Sequence, residues 1–301
     1  MSRPETRLIK NPSDLVTSHM QVCKGFLAQA LEKTERASPY IEQAKTLHAA
    51  LNKASDIGVA ASLKSVQAEL LSAAGFSDKA RSHLSGRELH RALKRAIDVV
   101  AKRAGDAWRE DLVYRFLLTK GDSLGGTMRN VTGALAGIRF SDAIQEHLKA
   151  SRIPHAVERS STNEVKVQEI TWKNRYLVFD KTPRFIRKNI DVILLKVLTP
   201  KAEIKRLLED KKAYLACGEL KGGIDPAGAD EHWKTANSAL ERIRQGFRPA
   251  APPTLFFVGA AIEAAMANEI FTQLQDGRLT HAANATVPAQ VSDLAAWLLG
   301  L

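Results

Sequence analysis

From residue 14 to about residue 150 the chain repeats apolar side chains at the three- and four-residue spacing of α-helices, with few β-branched runs. The clearest case follows Ser85-Gly-Arg-Glu88, a capping box in which the serine and glutamate side chains each take a backbone N–H at a helix start. Leu89, Leu93, Ala96, Ile97 and Val100 then fall on one face, and Arg87, Arg91, Lys94, Arg95 and Lys102 on the other. Further along, TKGDSLGGTMRNVTGALAG (119–137) reads as a glycine-rich loop running into a helix from Thr127, with Arg129 in its first turn. It lacks the Gly-Lys-Ser/Thr of a Walker A loop and does not fit a dinucleotide fingerprint. Gly125 and Gly126 are read as turn or close-packing positions, and a helix N-terminus there would also accept a phosphate.

A polar stretch, SRIPHAVERSSTNEV (151–165), marks a change of character. Strand patterns follow in KVQEITW, RYLVFD, IDVILLKV, AYLACGEL and TLFFVG, with helices interspersed at 201–210, 229–245 and 260–275. The pattern predicts a mainly helical region over 1–150 and a mixed α/β region over 151–301.

Composition narrows the class. The 301 residues are 45% apolar and 26% charged, ordinary for a globular protein with a sizeable core. No apolar run is long enough to cross a bilayer, and the N-terminal stretch lacks the apolar centre of a signal peptide. Cys23 and Cys217 are too few for a disulfide framework or a cysteine zinc site, so a reduced, cytoplasmic protein is expected. The formal charge of +11 favours a polyanionic partner, nucleic acid above all. In that light the basic stripe that includes Arg87 and Arg91 is a candidate phosphate-contacting surface as well as a solvated helix face.

The chemistry concentrates in YLACGELKGGIDPAGADEHWKTA (214–236). On a strand, Glu219 and Lys221 project together while Leu220 points the other way. Upstream, the apolar strand NIDVILLKV is interrupted by Asp191, a costly residue there unless it is paired or binds a cation. If the two strands are neighbours, Asp191 and Glu219 converge on one hard cation beside Lys221, the sparse carboxylate arrangement that Mg²⁺ prefers. A lone Glu-X-Lys is a weak signal, and a salt-bridged strand end is the bland reading of these three residues. Cys217 shares the face of Glu219 but is read as packing, and Trp233 as core. By itself Asp225-Pro226 is an ordinary turn, and His232 a histidine at a helix start.

The loop that follows decides the matter. Asp191 lies 28 residues before Glu219, Lys221 two after it, Asp225 six after it and His232 thirteen after it. In this spacing GGIDPAGADEHWKTA resembles the segment after the catalytic Glu-X-Lys in the AvaI/BsoBI family of type II restriction endonucleases, within the PD-(D/E)XK superfamily. The TKGDSLGG-MRN segment is similar too. The resemblance implies a restriction-endonuclease-like mixed sheet flanked by helices, with a largely helical N-terminal domain, and a DNA-embracing role for residues 1–150. It implies a bacterial homodimer that encloses double-stranded DNA and makes Mg²⁺-dependent cuts within CYCGRG, leaving 5′ overhangs, 5′-phosphates and 3′-hydroxyls.

By the same resemblance Asp191 and Glu219 are metal ligands, Lys221 orients the attacking water, and His232 positions that water or takes its proton. Asp225 reads a base, a role its carboxylate can fill by accepting from a cytosine amino group. Lys234 and, from the helical region, Lys79 are further candidate DNA contacts. A cognate methyltransferase would act on the same DNA site without touching this protein. Two alternatives stay open: a non-catalytic DNA-binding or scaffolding protein, and a repair nuclease of the same fold without sequence specificity.

Overall fold

The computed structural model describes residues 8–76, 83, 85–161, 163–197 and 203–301. Lys79 lies outside the described residues. The chain divides into two compact units, one of residues 28–130 and one formed by 1–27 together with 131–301. This division falls elsewhere than the compositional change at 151. The N-terminal segment and residues 131–150 pack on the sheet, because their apolar side chains fill its two faces.

The helical unit is built from α1 (His19–Asn52), α2 (Ile57–Ala61), α3 (Gln67–Ala73), α4 (Gly86–Ala104) and the first part of α5 (Trp108–Ala150). Its core joins Leu47, Leu51, Leu70, Leu71, Leu93, Ile97, Leu112 and Phe116, all fully buried. The expected capping box opens α4: the Ser85 side chain accepts from the Glu88 N–H, and Glu88 Oε2 accepts from the Ser85 N–H at 2.8 Å. Leu93, Ile97 and Val100 are buried on one face of α4, while Arg87 and Arg91 stand exposed.

The glycine-rich segment departs from its expected form. Residues 119–137 form no loop; they lie inside the 43-residue α5. Gly121, Gly125, Gly126 and Gly133 are absent from the positive-φ glycines, so no turn interrupts the hydrogen-bond ladder. Glycine lowers helix propensity by about 1 kcal/mol per residue relative to alanine. Packing at both ends outweighs that cost: Leu112 and Phe116 anchor one end, and Phe140, Ile144 and Leu148 the other at four-residue spacing. Arg129 is consequently an exposed residue in mid-helix, and the helix N-terminus considered for a phosphate does not exist.

The second unit is a seven-stranded sheet in the order β1 to β7: His155–Ser160, Asn163–Trp172, Arg175–Lys181, Ile190–Lys196, Tyr214–Lys221, Thr254–Gly259 and His281–Asn284. The first five strands run antiparallel to their neighbours, whereas β5, β6 and β7 are parallel. Short α6 (Ile204–Leu207) precedes β5; α7 (Ala229–Phe247), α8 (Ala264–Gln275) and α9 (Pro288–Leu299) follow β5, β6 and β7. One face of the sheet packs on Trp233, Leu240, Ile243, Met266 and Ile270 of α7 and α8. The other packs on Phe140, Ile144 and Leu148 of α5 and on Val291, Leu294 and Leu298 of α9. The mixed, helix-flanked sheet with helices N-terminal to it agrees with the expected fold class.

All five expected strands are present. Two others, β1 and β7, gave no strand pattern. β1 is a half-exposed edge strand of polar composition within the stretch read as a boundary, and β7 is four buried residues, His-Ala-Ala-Asn. No helix among the described residues is long and apolar enough to cross a membrane.

Candidate active site

β4 and β5 pair antiparallel, with Val192 opposite Gly218 and Ile193 opposite Cys217. One step further along that ladder, Asp191 at the start of β4 faces Glu219 near the end of β5. Their neighbours of like parity, Ile193 and Cys217, belong to the core on the α7–α8 side, while Gly218 and Leu220 turn to the α5–α9 side. The interrupted apolar strands thus deliver two carboxylates to one spot. It lies at the carboxyl end of the parallel strand β5, where chain crossings leave room for ligands.

Three groups meet there. Lys221 Nζ lies 3.3 Å from Asp191 Oδ2 and 3.1 Å from Glu219 Oε2. Asp191 Oδ2 also accepts from the Leu220 N–H at 2.9 Å, and Asp191 Oδ1 from the Asn189 side chain at 3.4 Å. Glu219 is only 3% exposed, and its Oε1 is buried without a hydrogen-bond partner among the described residues. Burial, and then the Asp191 charge, push the Glu219 carboxyl up to about 8, although Lys221 pulls the other way. Burial draws the Lys221 ammonium down, but the two carboxylates outweigh it and hold it above the ordinary lysine value.

An orphaned carboxylate oxygen next to a second carboxylate suits a hard divalent cation, which would give Oε1 the partner it lacks. The donor set is sparse: among the described residues no three His, Cys, Asp or Glu side chains cluster as a metal cage. Sparse carboxylate sites completed by water and phosphate oxygens are what Mg²⁺ takes.

The loop after β5 is held by close packing at two glycines. A Cβ on Gly222 would stand 2.3 Å from the Thr132 carbonyl oxygen and 2.7 Å from that of Gly133, both in α5. A Cβ on Gly223 would stand 2.8 Å from His232 Nε2. His232, in the first turn of α7, therefore lies against the backbone two residues beyond Lys221. Asp225 is exposed and caps the following 3-10 turn, its Oδ1 accepting from the Ala227 N–H at 3.0 Å. Lys234 is exposed and paired with Asp230 at 2.5 Å. Arg87 and Arg91 lie in the other unit.

Trp233 and Cys217 are core residues, as read from the sequence. Trp233 is 1% exposed and its Nε1–H donates to Glu269 Oε2 at 2.6 Å. Burial, with the Glu219 charge next, drives the Cys217 thiol far above its ordinary value, so it is an unreactive packing group. Trp233→Phe is expected to destabilise the protein by about 1–3 kcal/mol, because the smaller ring leaves a void in the buried core, whereas water can replace the indole at the exposed Glu269, and to leave DNA binding intact. Urea unfolding and a gel-shift titration check both halves. A variant that folds normally but loses DNA binding would make Trp233 a stacking platform instead. Asn189, Gly222 and Gly223 were not singled out in the sequence; no local signal marks an asparagine or a glycine whose neighbours are distant in the chain.

A mixed sheet that carries Asp and Glu-X-Lys on adjoining ends of two antiparallel strands defines the core of a PD-(D/E)XK nuclease. The chain matches the model of the family described as restriction endonuclease BsobI over residues 6–301. It is 41% identical to the type II restriction enzymes AvaI of Nostoc sp. and of Anabaena variabilis, over 97% of this chain and 98% of each relative. It is 39% identical to the type II restriction enzyme BsoBI of Geobacillus stearothermophilus over 99% of both. The chain belongs to this restriction endonuclease family, and it is a nuclease of the PD-(D/E)XK superfamily.

Proposed function

We propose that the protein is a homodimeric type II restriction endonuclease that cuts both strands of duplex DNA, dependent on Mg²⁺, within the degenerate palindrome CYCGRG. The observation that carries the reading is the Asp191–Glu219–Lys221 cluster with its orphaned buried oxygen, Glu219 Oε1. The relatives' names as type II restriction enzymes and the +11 charge support DNA as substrate. Asp191 and Glu219 hold the cation. When bound, it supplies positive charge at the scissile phosphate and makes water a better nucleophile at neutral pH.

Lys221 is held between the carboxylates with donors to spare, which suits it to orient the water and balance phosphate charge. His232, against the loop beyond Lys221, takes or relays the water's proton. Asp225 uses one oxygen for its cap and keeps further lone pairs for a cytosine amino group. Lys234, Arg87, Arg91 and Lys79 are proposed phosphate contacts. A palindrome cut on both strands calls for two equivalent sites about a two-fold axis, hence a second copy of the chain. A methyltransferase of the same specificity would protect the host DNA.

Digestion of a plasmid of known sequence, with Mg²⁺ and with EDTA, followed by sequencing of the ends, tests this. Discrete metal-dependent ends inside CYCGRG, with 5′ overhangs and 5′-phosphates, are expected. Discrete ends at another sequence would keep the chemistry and discard the specificity. Scattered ends would favour a repair nuclease, and a folded protein that cuts none of the unmethylated sites would favour the DNA-binding reading.

A further inference from the structure

We propose that Asn189 is a positioning residue, which fixes the Asp191 carboxylate in the orientation that receives the divalent cation. The inference rests on the metal-dependent reading of the site. Asn189 stands one residue before β4, and its Nδ2 donates to Asp191 Oδ1 at 3.4 Å and to Asp180 Oδ1 at 3.5 Å. The other Asp191 oxygen, Oδ2, is already taken by the Leu220 N–H and by Lys221. A carboxylate turns readily about its terminal bond. With a donor on each oxygen, the two faces of Asp191 are distinguished and the group is held in one rotation.

The sheet register shows why such a donor is needed. Phe179 pairs with Val192, and Val192 with Gly218. The next step along both ladders sets Asp180, Asp191 and Glu219 abreast on three neighbouring strands. Like charges directly opposite one another destabilise a sheet. Two different devices separate these three. Lys221 stands between Asp191 and Glu219, whereas the neutral Asn189 amide bridges Asp191 and Asp180.

Asp180 in turn is drawn aside. Its backbone is left-handed, at φ 52°, and its Oδ2 pairs with Lys166 at 2.8 Å. A second left-handed residue, Arg187 at φ 61°, closes the turn in which its N–H donates to the Pro183 carbonyl, two residues before Asn189. Neither Asp180 nor Arg187 is a glycine, and strain of this kind persists where the surrounding structure fixes it. A side chain at 189 that is to bond both carboxylates must donate and must not add charge. Asparagine does this; an ionised aspartate has acceptors only.

Both contacts are long, so the expected effect is on cation affinity and is moderate. Residues that orient metal ligands typically contribute about 10- to 100-fold to metal affinity or activity. The test compares the wild type, Asn189→Ala and Asn189→Asp by thermal unfolding against Mg²⁺ and Ca²⁺ concentration, and by cleavage rate against Mg²⁺ concentration. For Asn189→Ala the expected result is a folded protein that unfolds slightly below the wild type without metal, a Mg²⁺ midpoint raised about 10-fold or more in both readouts, and a rate restored at saturating Mg²⁺. Asn189→Asp, equal in size but without the donor, should not recover the wild-type midpoint.

Wild-type midpoints in both variants would overturn the proposal. So would a rate lowered by the same factor at every Mg²⁺ concentration, which is the mark of a purely structural role. A wild type whose unfolding and cleavage ignore Mg²⁺ would overturn the metal-dependent reading itself, and this inference with it. Because the thermal readout needs no cleavage, the two failures are distinguishable.

Discussion

Glu219→Gln should lower DNA cleavage by at least about 100-fold, the scale of losing one preorganised charge-stabilising group, while leaving DNA binding intact and making the metal-free protein more stable at pH 8. The two effects have one cause. Glu219 is buried, its Oε1 is unpartnered, and its carboxyl is pushed up to about 8 by burial and by Asp191. Between the unfolded carboxyl value of 4.5 and about 8, the unfolded chain has released this proton while the folded chain retains it. The folded state then binds more protons, so stability is full below 4.5 and declines as pH rises toward 8.

Mg²⁺ bound at the proposed site is expected to reverse the trend, because it requires the ionised carboxylate. Its stabilisation is therefore expected to be larger at pH 8.5 than at 6.5, with proton release on binding at the lower pH. A neutral glutamine removes the burden of a buried acid together with the proposed ligand of the cation. Thermal unfolding of both proteins across pH 5–9, with EDTA and with Mg²⁺, reads all of this. An unchanged pH profile in Glu219→Gln would show that Glu219 is not the group responsible, and full cleavage by that variant would end its role as metal ligand.

Gly222→Ala is expected to destabilise the protein by about 1–3 kcal/mol, as overpacking does, and to slow single-turnover cleavage. The new Cβ would meet the carbonyl oxygens of Thr132 and Gly133 and, at 3.1 Å, the Ala136 nitrogen. These are backbone atoms of a long helix, which cannot turn aside as a flexible side chain would. Either α5 or the loop must move, and the loop begins one residue after Lys221. Urea unfolding and rapid-quench cleavage at saturating Mg²⁺ check the two halves. Wild-type stability would show that the helix yields freely; wild-type cleavage with lowered stability would show that Lys221 is insulated from its own loop.

Much of this enzyme was legible along the chain. Alternation and apolar runs announced β2 to β6, because strands buried on both faces must be apolar almost throughout. For the same reason Asp191 and Glu219 stood out, since an acid inside such a run needs a partner or a cation. The capping box of α4 was equally local, because every atom that makes it lies within four residues. The glycine-rich segment misled for a related reason: local propensity favours a break at 119–137, and packing at the two ends of α5 overrides it.

The sequence by itself thus determined the five strands β2 to β6, the two acids with Lys221, and the family. Only the tertiary structure decided that β4 and β5 are adjacent and antiparallel, which turns two acids 28 residues apart into one site. It alone placed Asn189 between Asp180 and Asp191, Gly222 against α5 and His232 over Gly223. Contacts of that kind depend on strand register and on the approach of distant backbones. Neither leaves a periodic trace in the residues that make them.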